Sequence, residues 1–287
     1  MAESGSVGVI GAGTMGRGIA VAAAQAGYKV VVYDVSPEAL AAAEAQMGAF
    51  IRKGVEDSKL SAAAGEQALA NLKLTPELAT AAKADWIIEA APEQLELKRS
   101  LLAQLDGLAP PETFLATNTS SLSVNVLAAA TGRPDRFLGL HFFNPAQIMK
   151  LVEIIAGDET GRLAQEAADR FVGRLGKIGV HCKDTPGFIV NRVARPFYGE
   201  ALRLLGEGAA DVETIDRLAR SLGFRMGPFE LIDLVGCDVN LAVTESVYEA
   251  FGQEPRYRPH SIQRRMVASG WLGRKSGRGF YLYPKRS

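Results

Sequence analysis

Gly11, Ala12, Gly13, Thr14, Met15 and Gly16 stand between a short apolar run, Ser6 to Ile10, and an alanine-rich stretch that stops at Gly27. A strand, a glycine turn and a helix in that order leave few folds open. The first two glycines let the backbone turn and approach a pyrophosphate, the third lets helix and strand pack closely, and the helix N-terminus offers unpaired N–H donors. A second strand is expected from Lys29 to Tyr33, ending in Asp34, about twenty residues on, where a carboxylate meets ribose hydroxyls. A negative charge there repels the extra phosphate of NADP and accepts hydrogen bonds from the two hydroxyls of NAD. The expectation is an α/β, Rossmann-type domain that binds NAD through Gly11, Gly13, Gly16 and Asp34.

The following segments keep alternating. Ser36 and Pro37 have the character of an N-cap and first helical residue, opening a helix that reaches Arg52 and Lys53. A further helix is expected from about Ser61 to Asn71. Asp85 to Ala90 reads as a buried strand, followed by a helix from Glu93 to about Leu105. Ligands of open α/β sheets sit at strand ends, so Glu93 and Lys98 become candidates for the nicotinamide side of the cofactor, although an exposed helix ion pair explains them equally well. Thr113 to Thr117 is the next strand, and it ends in four polar residues, Asn118, Thr119, Ser120 and Ser121.

Phe137 to Ala156 contains two apolar runs interrupted by Asn144, Pro145, Ala146 and Gln147, a hairpin pattern with a long loop. A turn symmetric about Gln147 sets His141 opposite Glu153. A carboxylate beside an imidazole fixes its tautomer and favours its protonated form, which prepares a histidine to accept a proton. A helix from about Thr160 to Leu175 and a strand from Lys177 to Cys182 complete the region.

From Pro186 the pattern becomes helical. Val212, Ile215, Leu218, Ala219 and Leu222 fall on one face, closed by Gly223, and Pro196 interrupts the helix that carries Asn191. The expected division is residues 1–185 for the NAD-binding domain and 186–287 for a smaller all-helical domain that closes a substrate cleft and makes a homodimer.

Thirty-two basic and thirty-two acidic side chains cancel, so no global field recruits nucleic acid or an anionic membrane. Cys182 and Cys237 are far apart and lack metal-ligand spacing, which argues against a disulfide framework or a metal site. No apolar run is long enough to span a bilayer, and a strand near Ser6 leaves no room for a signal peptide. A cytoplasmic protein is expected.

Taken together, GAGTMG at 11–16, NTSSLS at 118–123, HFFNPAQIMKLVE at 141–153, DTPGFIVNR at 184–192 and GRKSGRGFY at 273–281 resemble the L-3-hydroxyacyl-CoA dehydrogenase family, including the 3-hydroxybutyryl-CoA dehydrogenases. The resemblance covers essentially the whole chain. It implies NAD-dependent oxidation of a short (S)-3-hydroxyacyl-CoA and the reverse reduction, with Ser120, His141, Glu153 and Asn191 as the catalytic group. It also implies cofactor or substrate contacts at Glu93, Lys98, Asn118, Ser120, Asn144 and Lys275, with Lys53 as a looser match for the acyl-CoA. Gln147 and Arg52 depart from common family forms. Two other readings stay open: a gulonate-type hydroxy-acid dehydrogenase, and a structural protein that holds NAD without turnover.

Overall fold

The computed structural model describes residues 5–284. They fall into two compact units, one ending at Thr185 and the other starting at Pro186. In the first unit the glycine turn joins β1 (Ser6–Ile10) to α1 (Thr14–Gln25), followed by β2 (Lys29–Tyr33), α2 (Pro37–Glu56) and α3 (Ala62–Ala70). Next come β3 (Leu72–Thr75), α4 (Leu78–Ala81), β4 (Trp86–Glu89), α5 (Leu95–Leu108), β5 (Phe114–Thr117) and α6 (Val124–Ala128). The unit ends with β6 (Phe137–Phe142), β7 (Leu151–Ala156), α7 (Arg162–Arg174) and β8 (Ile178–Lys183).

The eight strands form one sheet in the order β3-β2-β1-β4-β5-β6-β7-β8. β1 to β6 run parallel, so the carboxyl ends of β1, β4, β5 and β6 share one edge. Strand order reverses at β1, with β2 on one side and β4 on the other. The crevice outside that point is where such sheets bind ligands. β7 pairs antiparallel with β6, and β8 runs parallel to β7. The sheet is therefore mixed, and its antiparallel step starts β7 at the functional edge where β6 ends.

Burial follows from the sequence. Val7, Val9, Val30, Val32, Ile88, Ala116, Leu138 and Leu140 lie inside with the alanine face of α1, where small side chains let helix and sheet approach. Ser36 and Ser61 cap α2 and α3 by accepting from Ala39 N–H and Ala64 N–H. β3 has no counterpart among the strands expected from sequence. Leu-Lys-Leu-Thr is short and lies at the sheet edge with Lys73 exposed, so its pairing with β2, not its own pattern, makes it a strand.

The second unit holds α8 (Val190–Gly206), α9 (Val212–Ser221), α10 (Pro228–Val235), α11 (Cys237–Ala250) and α12 (Ser261–Ala268). Pro196 lies inside α8. The core gathers Tyr198, Leu202, Ile215, Phe229, Ile232 and Met266. The apolar face expected on α9 is buried at Ile215 and Ala219 and packs on the core at Val212, but not at Leu218 and Leu222. Leu218 is 57% exposed and Leu222 is 81% exposed, while Asp216 is fully buried. The reason is hydrogen bonding: the Asp216 carboxylate accepts from Phe229 N–H, Glu230 N–H and Tyr281 O–H, capping the first turn of α10. Those donors and Ile215 set the rotation of α9 and leave two leucines outside.

Candidate active site

The glycine turn sits at the carboxyl end of β1. Gly11 has φ +111°, and a Cβ on Gly16 would lie 1.8 Å from the Gly11 carbonyl oxygen. α1 begins with Gly13 as N-cap and no side chain capping it, so its first-turn N–H groups point outward as an anion cradle. A Cβ on Gly13 would meet no atom within 4 Å. Asp34 follows β2, and its carboxylate accepts from Ala12 N–H at 2.8 Å and Ser36 N–H at 3.0 Å. The turn and the carboxylate are thus fixed to each other, which is the donor set a dinucleotide requires.

The carboxyl end of β4 supplies a group the sequence reading missed. Glu89 is fully buried, and Lys98 on α5 is 1% exposed. Their ion pair is 2.7 Å long. Lys98 Nζ also donates to the Ala91 carbonyl at 3.1 Å and lies 3.3 Å from Glu93 Oε2. An ammonium has three donors, and all three are directed at these protein acceptors. Lys98 is therefore not a solvent-exposed pair; it holds Glu93. A sequence signal for Glu89 existed: a lone carboxylate inside a buried strand demands a partner.

Glu93 in turn holds the polar run after β5. Its Oε1 accepts from Thr119 Oγ1 at 2.6 Å, Ser120 N–H at 2.8 Å and Ser120 Oγ at 3.2 Å, with Ser121 contributing its N–H and hydroxyl. Burial by itself raises the Glu93 pKa, but the Lys98 charge and the Thr119 and Ser120 donors outweigh it and hold the carboxyl below its ordinary value of 4.5. A carboxylate depressed in this way stabilises the fold fully above the unfolded value and loses that contribution as pH falls through the folded value. The thermal midpoint of the wild type is accordingly expected to drop on acidification below pH 4.5, and Glu93→Gln to show a shallower drop over the same window. Parallel slopes in melts between about pH 6 and pH 3 would refute this.

Asn118 accepts from Phe142 N–H at 2.9 Å, tying the end of β5 to the end of β6. On β6 and β7, His141 stands opposite Glu153 in the strand register. His141 Nδ1 lies 2.6 Å from Glu153 Oε2, with the side chains 7% and 1% exposed. A carboxylate oxygen accepts, so Nδ1 carries the hydrogen, and in the neutral ring the basic nitrogen is then Nε2. The Phe143 ring lies against the imidazole, centroids 4.5 Å apart. Lys177 secures the turn that carries Asn144 by donating to the Ala146 carbonyl at 2.6 Å and the Met149 carbonyl at 2.7 Å.

The remaining candidates lie apart in sequence and environment. Lys53 is exposed near the end of α2. In the second unit Asn191 is the second residue of α8. Arg195, one turn on, is buried and bonds the carbonyls of Asn191 and Asn240 and the Thr244 hydroxyl. Lys275 Nζ lies 2.6 Å from the Asp238 carboxylate.

Comparison with known proteins agrees with this geometry. Residues 6–185 match the family described as 3-hydroxyacyl-CoA dehydrogenase, NAD binding domain, and residues 187–283 match the 3-hydroxyacyl-CoA dehydrogenase C-terminal domain. The chain is 49% identical over 277 residues to a 3-hydroxyadipyl-CoA dehydrogenase of Escherichia coli, covering 96% of this chain but 58% of that longer protein. It is 42% identical to a 3-hydroxybutyryl-CoA dehydrogenase of Bradyrhizobium diazoefficiens, covering 96% of this chain and 94% of the relative. The crystal structure of (S)-3-hydroxybutyryl-CoA dehydrogenase from Ralstonia eutropha superposes with a TM-score of 0.92 at 42% identity, covering 98% of this chain and 99% of that one. With both halves matched and an NAD cradle sharing one sheet edge with a buried histidine-carboxylate pair, the chain belongs to the 3-hydroxyacyl-CoA dehydrogenase family of NAD-dependent oxidoreductases.

Proposed function

We propose that the protein interconverts short-chain (S)-3-hydroxyacyl-CoA, of the 3-hydroxybutyryl-CoA type, and the corresponding 3-ketoacyl-CoA. The observation that carries this reading is the His141–Glu153 pair, 2.6 Å apart, on the strand edge that also bears the glycine turn and Ser120. Bound NAD supplies the acceptor for the hydride that leaves carbon 3. His141 Nε2 takes the proton of the 3-hydroxyl as that hydride departs, and the alcohol becomes a ketone. Glu153 stabilises the imidazolium that forms by accepting from Nδ1–H. Ser120 turns its hydroxyl from Glu93 to hydrogen-bond the reacting oxygen or the thioester carbonyl, so developing charge meets a donor held nearby. Asn191 joins the group by its match to the family pattern, as do Asn144 and Lys275 for the cofactor and Lys53 for the acyl-CoA. In the reductive direction His141 returns the proton.

The test is NADH consumption with acetoacetyl-CoA, repeated with longer 3-ketoacyl-CoA and with a free keto acid. Turnover greatest with the short thioester supports the reading. Turnover confined to the free acid, or tight NADH binding without turnover, overturns it.

The partner is a second copy of the chain, and the exposed apolar side chains of the second unit support this: Val193, Leu218, Leu222 and Phe224. Burying such side chains contributes about 1.5–3 kcal/mol each. Leu218→Glu with Leu222→Glu is therefore expected to convert a dimer to a monomer in sedimentation velocity; an unchanged sedimentation coefficient would place the contact elsewhere. The described residues contain no helix long and apolar enough to cross a membrane. We place the protein in the cytoplasm, a reading supported by two separate unbridged cysteines.

A further inference from the structure

Glu89 has a role that the proton-transfer scheme leaves unassigned. Its two carboxylate oxygens are both committed. Oε1 accepts from Ala91 N–H at 2.6 Å and Lys98 Nζ at 2.7 Å, and Oε2 accepts from Thr117 Oγ1 at 2.6 Å. Two branches therefore leave this buried group. One runs through Lys98 to Glu93 Oε2, and from Glu93 Oε1 to the hydroxyl and N–H of Ser120. The other runs through Thr117, whose hydroxyl oxygen accepts from Thr119 N–H at 3.3 Å, and Thr119 again reaches Glu93. Both branches converge on the turn that carries Ser120.

A buried ion pair is a poor device for stability alone, because desolvation offsets most of its attraction and an apolar pair of equal volume often does as well. What it provides is direction. Lys98 has three donors, and Glu89 and Ala91 fix two of them. The third is thereby aimed at Glu93, and a carboxylate fixed at one oxygen presents the other in a defined place. Without the Glu89 charge, Lys98 is left buried beside Glu93 alone, and the shortest path to compensation is to draw Glu93 inward, away from Ser120. Charge counting agrees: two carboxylates and one ammonium leave one negative charge, and the donors of Thr119, Ser120 and Ser121 converge on Glu93 Oε1.

We propose that Glu89 is a positioning residue for the reaction: through Lys98 and Thr117 it fixes Glu93, and through Glu93, which accepts from Ser120 N–H, it fixes where the Ser120 side chain stands. The inference rests on the reading above in which Ser120 meets the reacting oxygen. It concerns a residue that touches neither substrate nor cofactor.

The test is a double-mutant cycle on kcat, measured at saturating NADH and acetoacetyl-CoA so that binding does not enter. Glu89→Gln is expected to lower kcat by about tenfold or more in the wild-type background, and by less than about twofold when Ser120 is already alanine, because residues acting through one path are non-additive. Thr117→Val replaces Glu89→Gln where the latter does not fold, since that change keeps every charge and cuts only the second branch. Thr117→Val is expected to cost about threefold in the wild-type background and nothing measurable in Ser120→Ala. Equal losses in both backgrounds, for whichever variant folds, would make the role of Glu89 structural and overturn the proposal while leaving the reaction intact. Full kcat in Ser120→Ala alone would instead remove Ser120 from the reaction and take the proposal down with it.

Discussion

His141→Asn is expected to lower kcat for acetoacetyl-CoA reduction by at least ~100-fold, and as much as ~10,000-fold, the range that a positioned acid or base contributes. NADH affinity should stay nearly unchanged. The two effects separate because the proposed proton donor sits on β6, whereas the cofactor cradle is built at the ends of β1 and β2. Asparagine keeps a polar side chain beside Glu153 but cannot exchange a proton with the substrate oxygen at neutral pH. NADH binding followed by fluorescence, with single-turnover rates at saturation, distinguishes the outcomes. Near-normal turnover in this variant would remove His141 from the mechanism, whatever its distance to Glu153.

The second large effect concerns two glycines of one turn, which should fail differently. Gly16→Ala places a Cβ 1.8 Å from the Gly11 carbonyl oxygen and 3.4 Å from Val9 Cγ1. Neither side can yield cheaply, because one is backbone and the other packs the core. Overpacking of this kind costs about 3 kcal/mol or more, so the variant should melt well below the wild type and lose NADH binding with its fold. Gly13→Ala puts its Cβ in open space. That variant is expected to melt close to the wild type yet bind NADH at least about tenfold more weakly, since the added methyl occupies the approach of the pyrophosphate to the backbone. Equal melting of the two variants, or normal NADH affinity in Gly13→Ala, would contradict this division of labour.

Much of the site was legible from local sequence, because local chemistry imposes it. A glycine turn between strand and helix serves one purpose in that context, and Asp34 at the end of the next strand follows from the same geometry. The facing of His141 and Glu153 was also accessible, since a hairpin with its turn at Gln147 has a single symmetric register, and that register is the one in the sheet. The four polar residues after β5 were visible as a cluster but not as a mechanism. The carboxylate partner of three of them, Thr119, Ser120 and Ser121, is Glu93, which lies more than two dozen positions earlier in the chain, and no periodicity links the two.

Other features depend on which elements pack together. β3 is a strand because β2 offers it an edge. Lys98 looks like half of a surface pair on a helix, and only the placement of α5 against the end of β4 buries it beside Glu89. The same applies to α9, whose apolar spacing pointed to a core face of which Ile215 and Ala219 are buried, while tertiary hydrogen bonds to Asp216 leave Leu218 and Leu222 outside.

By itself, then, the sequence determined the strand-turn-helix cradle, the hairpin register and the helical character of the second unit, all set by short-range sterics and by the alternation of apolar residues. The tertiary structure decided which charged groups are buried and what they hold. Burial is a property of how elements pack, and a carboxylate such as Glu89 acquires its direction only when Lys98 from the next helix and Thr117 from the next strand are brought to its oxygens.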